Sequence, residues 1–249
     1  MFSIGVIYIA TGKRYIEEAC HSVSTLKSYM PHIHVTAFLS EEVACSDFND
    51  IRVIDSPRYS FMDKVLSIVQ TPYDFTLFLD TDTHIVDDIS ELFTVLDKFD
   101  IAAPHAPIDH FISAVPSTFP ELNTGVIAFK KNQKVEKFFF RWHNLYTRDM
   151  EQEETIGIFP DQPSFREALY DSELRICFLP HEYNCMVGYT VFLSGKVKIF
   201  HGRDQNLPAI IQSINQKCGK LRSFVPKLGT VTLVNNFISI DPLEKISYT

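Results

Sequence analysis

An apolar run that ends in two carboxylates constrains this chain more than any other stretch. Thr76-Leu77-Phe78-Leu79 leads straight into Asp80-Thr81-Asp82-Thr83. A short apolar run without alternation is the pattern of a strand buried on both faces, as in mainly parallel sheets covered by helices. Ligands of open α/β sheets bind beyond the carboxyl ends of the strands, and the Asp-x-Asp falls at that place. Side chains alternate along an extended chain, so Asp80 and Asp82 are expected on one side of it. Paired carboxylate oxygens suit Mg²⁺ or Mn²⁺. Asp is also favoured at turns and helix caps, so the pair gains weight only from what else the chain brings to the same edge.

A length of 249 residues, with 45% hydrophobic and 22% charged residues, suits one large α/β domain or two small ones. The 21 Phe and 10 Tyr can supply a sizeable core, and the net charge of −8 argues against nucleic acid or an anionic membrane as a general partner. A bound diphosphate would need a local cation, which a metal at Asp80 and Asp82 could supply. No stretch approaches the ~20 consecutive apolar residues of a transmembrane segment. Met1-Phe2-Ser3-Ile4 has no basic region ahead of its apolar run, so a first strand is expected there and not a signal peptide. The five cysteines are odd in number and form no C-x-x-C pair. They are expected to be mostly buried and reduced, which points to a cytoplasmic setting.

Strands and helices alternate along the chain. Strands are expected at 4–9, 34–39, 51–54, 76–79, 101–104, 126–129, 175–179 and 197–200, with a hairpin over 231–240 turning at Asn235-Asn236. Helices are expected at 14–29, 62–69, within 85–99 from a cap near Asp88 or Ser90, at 134–148, from Pro163 and over 209–216. Met62, Val65, Leu66 and Val69 are expected to face inward together. Val135, Phe138, Phe139, Trp142, Leu145 and Tyr146 form a helical stripe that belongs to the core. Asp161-Gln162-Pro163 has the grammar of a helix start, with Asp161 as the cap. Together these predict an α/β domain with a mixed, mainly parallel sheet.

Polar groups recur where the apolar runs end: Thr11 and Tyr15, Asp80 and Asp82, Asn123 and Thr124, Asp161 and Gln162, and His201. At these positions the sequence resembles the GT-A nucleotide-diphospho-sugar glycosyltransferases, most of all the glycogenin and lipopolysaccharide galactosyl/glucosyltransferase group (glycosyltransferase family 8). Asp80-Thr81-Asp82-Thr83 is similar to that group's Asp-x-Asp-Thr. Asn123-Thr124-Gly125-Val126, Asp161-Gln162, Leu179-Pro180-x-x-Tyr183-Asn184 and His201-Gly202 follow in its order, over about residues 3 to 204.

The resemblance implies a single domain over 1–249. Residues 1–130 would form the nucleotide-sugar-binding half, 131–220 the acceptor and catalytic half, and 221–249 a C-terminal hairpin extension. It implies that Asp80, Asp82 and His201 hold Mn²⁺ or Mg²⁺. Ala10, Thr11 and Tyr15 would meet the nucleotide base, while Lys64 and Thr81 stand by the phosphates or sugar. Asn123, Asp161 and Gln162 would line the reacting carbon. The implied reaction moves a sugar from a nucleotide donor, UDP favoured, to a hydroxyl acceptor such as a glycan, with retention. Inversion would instead need a base, for which Asp161 is the candidate. The group often continues from its histidine-glycine into Lys-Pro-Trp, whereas here Arg203-Asp204-Gln205-Asn206 follows, and Arg203 could clamp phosphate in its place. Two alternatives remain at this point. One is a haloacid-dehalogenase-like phosphatase, against which stand His84 and the motif's distance from the start. The other is a catalytically silent nucleotide-sugar-binding domain.

Overall fold

The computed structural model describes residues 2–112, 114–152, 160–234 and 237–242. Seven strands make the central sheet, in the order β3-β2-β1-β4-β7-β6-β8. They are β1 (Ile4–Ala10), β2 (His34–Leu39), β3 (Asp50–Val53), β4 (Phe75–Leu79), β6 (Ile101–Pro104), β7 (Val126–Lys130) and β8 (Ile176–Leu179). Only β7 runs against the others, pairing antiparallel with both β4 and β6. Among the described residues six α-helices accompany the strands: α1 (Lys13–Tyr29), α2 (Phe61–Ser67), α3 (Glu91–Thr94), α4 (Gln133–Gln152), α5 (Gln162–Tyr170) and α6 (Leu207–Gln216).

Alternation along β1 divides the core into two layers. Val6, Tyr8 and Ala10 pack with Ile16, Ala19, Val23 and Leu26 of α1, while Ile7 and Ile9 pack with Met62, Val65 and the helical pair α4–α5. Burial on both faces accounts for the unbroken apolar character of Phe75–Leu79. The stripe on α4 is core, as its spacing predicts, and Trp142 and Phe165 meet edge to face with centroids 4.9 Å apart.

Two smaller sheets complete the described chain. One orders β5 (Thr83–Ile85), β11 (Ile199–His201) and β9 (Cys185–Met186), and the other β10 (Val191–Leu193), β12 (Arg222–Val225), β13 (Gly229–Val234) and β14 (Phe237–Asp241). The expected hairpin is present as the antiparallel pair β13–β14, while its turn at Asn235-Asn236 lies outside the described residues.

Several expectations change. The α-helix at 62–69 gives way after Ser67 to a tight 3₁₀ turn, Ile68–Gln70. Its three-residue period brings Ile68 inward and leaves Val69 exposed at 39%, while Leu66, still within α2, is exposed at 36% beside the buried Met62 and Val65. The helix in 85–99 is a single α turn from Glu91 continued by a 3₁₀ turn, although Leu92, Phe93 and Leu96 are buried as expected. All five cysteines are unpaired, but only Cys185 is buried, and Cys218 is exposed. Among the described residues no helix is long and apolar enough to cross a membrane.

Trp142 links the core to the sheet edge, because its indole N–H donates to the Asp161 carbonyl at 3.1 Å. Trp142→Ala is expected to cost about 3–5 kcal/mol, and Trp142→Phe roughly 1–2 kcal/mol through the lost volume and hydrogen bond. Chemical denaturation measures both, and an unchanged midpoint for Trp142→Ala would remove the stripe from the core.

Candidate functional site

The carboxyl edge of the sheet opens into a cleft of about 470 Å³. Its lining includes Ala10, Thr11, Tyr15, Lys64, Asp80, Thr81, Asp82, Asn123, Asp161, Gln162, His201 and Arg203. Every residue singled out from the sequence as a candidate therefore faces one space.

Asp80 and Asp82 do not lie on an extended chain. Strand β4 stops at Leu79 and the chain turns, with Thr83 donating from both its backbone N–H (3.3 Å) and its hydroxyl (2.8 Å) to the Asp80 carbonyl. The carboxylates converge because the turn feeds β5, which pairs antiparallel with β11 and sets Thr83 opposite His201. Gly202 then leaves β11 at φ 109°, a conformation suited to glycine, and donates its N–H to the Asp82 carbonyl at 3.0 Å. From the other side Gly125 lets β7 approach closely. A Cβ there would stand 2.3 Å from His201 Cε1 and 2.9 Å from Asp80 Oδ2.

His201 Nε2 lies 3.2 Å from Asp82 Oδ1 and 3.7 Å from Asp80 Oδ2. Its Nδ1 donates to Asn184 Oδ1 at 2.8 Å, which orients the ring and turns Nε2 toward the carboxylates. Asn184 belongs to the Leu179-to-Asn184 motif, but no role for it was legible in the sequence. The ligand atoms of Asp80, Asp82 and His201 all lie within 4.8 Å of one another. Two hard oxygens and an oriented imidazole fit a divalent cation of the Mn²⁺ or Mg²⁺ kind.

Charge balance favours the same fit. Glu18, Asp80, Asp82 and Asp161 share two permanent cations, Lys64 and Arg203, which leaves two negative charges. Burial pushes the Asp80 carboxyl above the usual range despite Lys64 and His201 nearby. Burial acts the same way on Asp82, but the His201 hydrogen bond and the charges of His201 and Arg203 outweigh it and pull Asp82 down to about 2.

Lys64 is buried at the floor of the cleft. Its ammonium lies 2.7 Å from Asp161 Oδ2 and 3.6 Å from Asp80 Oδ1, and it donates to Thr124 Oγ1 at 3.1 Å. Burial alone would lower its pKa, but Asp161 and Asp80 outweigh that and raise it. The Asp161 carboxylate also accepts from Thr124 Oγ1 at 3.0 Å and makes no capping bond to α5. The cap expected from local grammar is thus replaced by a long-range ion pair.

Asn123 and Gln162 meet directly, Nδ2 to Oε1, at 2.5 Å, and Asn184 donates to Asn123 Oδ1 at 2.9 Å. Gln162 donates onward to Glu121 Oε1 at 3.0 Å. Glu121, fully buried, and His110, which lines the cleft, gave no signal in the sequence. Arg203 is held by Glu18 at 2.7 and 2.6 Å and by Asp82 Oδ2 at 2.9 Å, with its guanidinium 5.7 Å above the Tyr15 ring. Thr11 donates to Asp63 Oδ2 at 2.8 Å, and Asp63 also accepts from the backbone of Arg58 and Tyr59. Those bonds hold Tyr59, at φ 55°, in the left-handed region beside the cleft.

No protein-family model and no curated protein matches this sequence. Solved structures do. The galactosyltransferase LgtC, in complex with donor and acceptor sugar analogues, aligns with a TM-score of 0.60 at 13% identity, over 81% of this chain and 88% of LgtC. The glycosyltransferase GlyE of Streptococcus pneumoniae TIGR4 gives 0.59 at 17% identity, over 81% of this chain and 55% of GlyE. The bifunctional glycosyltransferase WbbM gives 0.54 at 17%, over 82% of this chain and 47% of WbbM. The chain thus spans about half the length of GlyE and WbbM and most of LgtC. Its α/β architecture is the GT-A fold of these glycosyltransferases.

Proposed function

We propose that this chain is a metal-dependent glycosyltransferase that moves a sugar from a nucleoside-diphosphate donor, UDP favoured, to a hydroxyl of a glycan or other acceptor. The observation that carries the reading is the Asp80–Asp82–His201 cluster sharing a cleft with Lys64, Asp161, Gln162 and Asn123. The solved neighbours, among them a galactosyltransferase in complex with donor and acceptor sugar analogues, support it. Residues 1–130 serve as the donor half and 131–220 as the acceptor half, with the strands from 221 onward as an extension.

Asp80, Asp82 and His201 hold the cation, Mn²⁺ suiting the mixed oxygen and imidazole set at least as well as Mg²⁺. When bound, it neutralises charge on the departing diphosphate. Lys64 adds a fixed positive charge at the floor, where it cannot swing away. Ala10, Thr11 and Tyr15 flank the nucleotide side, with Thr81 and Arg203 beside the phosphates. Asn123, Gln162 and Asp161 face the sugar, and a fixed carboxylate there stabilises a carbon gaining oxocarbenium character.

Donor hydrolysis is expected to stop on chelation and to return with added Mn²⁺. Release of nucleoside diphosphate from a panel of nucleotide sugars measures this, and full turnover in excess EDTA would sink the metal role.

Asp161→Asn separates the cap from the site. A cap would tolerate it, since Asn caps about as well as Asp. With the carboxylate paired to Lys64, the substitution is expected to lower kcat on the order of a hundredfold or more. It should also lower the melting temperature, because it weakens a buried ion pair, while nucleotide binding survives. Kinetics, a thermal melt and a nucleotide titration on one preparation distinguish the outcomes, and near-normal turnover would return Asp161 to a structural role.

A further inference from the structure

Tyr59 holds a backbone conformation that an aromatic residue seldom adopts. Its φ of 55° lies in the left-handed region, where a side chain crowds its own backbone and glycine is favoured. Burial of the ring does not offset that strain, because Tyr59 is 63% exposed. Two hydrogen bonds hold the turn instead. The backbone N–H groups of Arg58 and Tyr59 donate to Asp63 Oδ1 (2.8 Å) and Oδ2 (2.7 Å). Asp63 is itself buried on α2, and Ser60 caps that helix by accepting from the Met62 N–H at 3.3 Å. Strained positions that their surroundings over-determine in this way cluster at ligand clamps.

The same carboxylate fixes which part of the cleft the ring serves. Asp63 Oδ2 also accepts from Thr11 Oγ1 at 2.8 Å, which ties the Tyr59 turn to the end of β1. Gly12 follows at φ 98°, its N–H donating to Ser40 Oγ at 3.0 Å just past β2. Two rings close on that glycine. A Cβ there would stand 3.7 Å from Tyr59 Cδ1 and 3.8 Å from Tyr15 Cδ2. Both rings line the cleft. Tyr15 already carries the Arg203 guanidinium over its ring and is the less exposed of the two, at 40%. Asn123, Asp161 and Gln162 stand ahead of β7 and at the start of α5, so the sugar side is built from other segments.

We propose, resting on the glycosyltransferase reading, that Tyr59 is a nucleobase-binding residue. The flat ring of the donor's nucleobase, uracil in a UDP-sugar, stacks on Tyr59 beside Gly12, with Tyr15 as the neighbouring wall. Stacking asks only for a π-face, so the contact depends on the phenol ring and not on its hydroxyl. It also gains from a platform that is already in place, because a side chain ordered on binding gives back part of the affinity. Asp63 supplies that rigidity, and Gly12, without a side chain, keeps the space next to both rings clear.

The test is calorimetric titration of the full chain with Mn²⁺ and three probes: UDP, GDP and inorganic pyrophosphate, the last carrying the phosphates without a nucleobase. The parent is expected to bind one of the nucleotides more tightly than pyrophosphate. Tyr59→Ala is expected to weaken that nucleotide on the order of tenfold or more and to leave pyrophosphate unchanged. Tyr59→Phe should bind as the parent does. Tyr59→Gly should lose nucleotide affinity as Tyr59→Ala does and melt no lower than that variant, because glycine takes a φ of 55° without strain. Parent-like nucleotide binding by Tyr59→Ala, or an equal loss for pyrophosphate, would overturn the role of Tyr59. So would a Tyr59→Phe chain as weak as Tyr59→Ala, or a Tyr59→Gly chain that melts below it. A parent that binds pyrophosphate as tightly as either nucleotide would remove the nucleobase subsite alone. A parent that binds none of the three probes would instead overturn the glycosyltransferase reading, and this proposal with it.

Discussion

The buried ammonium of Lys64 ties the site together. A charge that far from water is tolerated only when it is paired and hydrogen-bonded. Its partners come from three places: Asp80 after β4, Thr124 before β7 and Asp161 ahead of α5. Lys64 itself stands on α2. Satisfying this one group therefore fixes how four segments meet at the sheet edge. The α4–α5 core supports the arrangement from behind, through the Trp142 bond to the Asp161 backbone.

That pairing also makes the site's charge incomplete. Lys64 answers parts of Asp161 and Asp80, and Arg203 answers Glu18 and one oxygen of Asp82. The oxygens that face His201 are left over, on a histidine whose far nitrogen is already committed to Asn184. Like charges held close destabilise a fold unless a cation offsets them. A divalent cation among Asp80, Asp82 and His201 would offset that charge, which supports the proposed metal site.

The sheet was legible because burial on two faces writes itself into composition, as in Thr76–Leu79, and the α4 stripe because six large residues repeat at helical spacing. Strands β5, β9 and β10, of two or three residues, carry no period to detect, yet β5 pairing with β11 is what brings His201 to Asp82. Val69 faces outward because the helix tightens after Ser67, a change of pitch that the apolar pattern does not encode. Asp161 carries local cap grammar, but its partners are Lys64 and Thr124, far away in sequence. Glu121 and His110 lie in a proline-rich stretch without periodicity, and only the fold shows that the carboxylate is enclosed and gripping the ring.

Arg203 shows how a departure from a familiar pattern can preserve its physics. Glu18 holds the guanidinium through two parallel bonds, and the remaining nitrogen reaches Asp82 Oδ2. A bidentate grip of this kind fixes a plane as well as a charge. Asp82 is thereby held with Oδ2 on Arg203 and Oδ1 toward His201, so one oxygen is kept free for a cation while the other sets the orientation of the carboxylate. The same guanidinium lies over Tyr15, on the side of the cleft proposed for the nucleotide. Position and charge thus put a rigid cation between the proposed metal and the proposed base-binding ring, the stretch that a donor's diphosphate must cross.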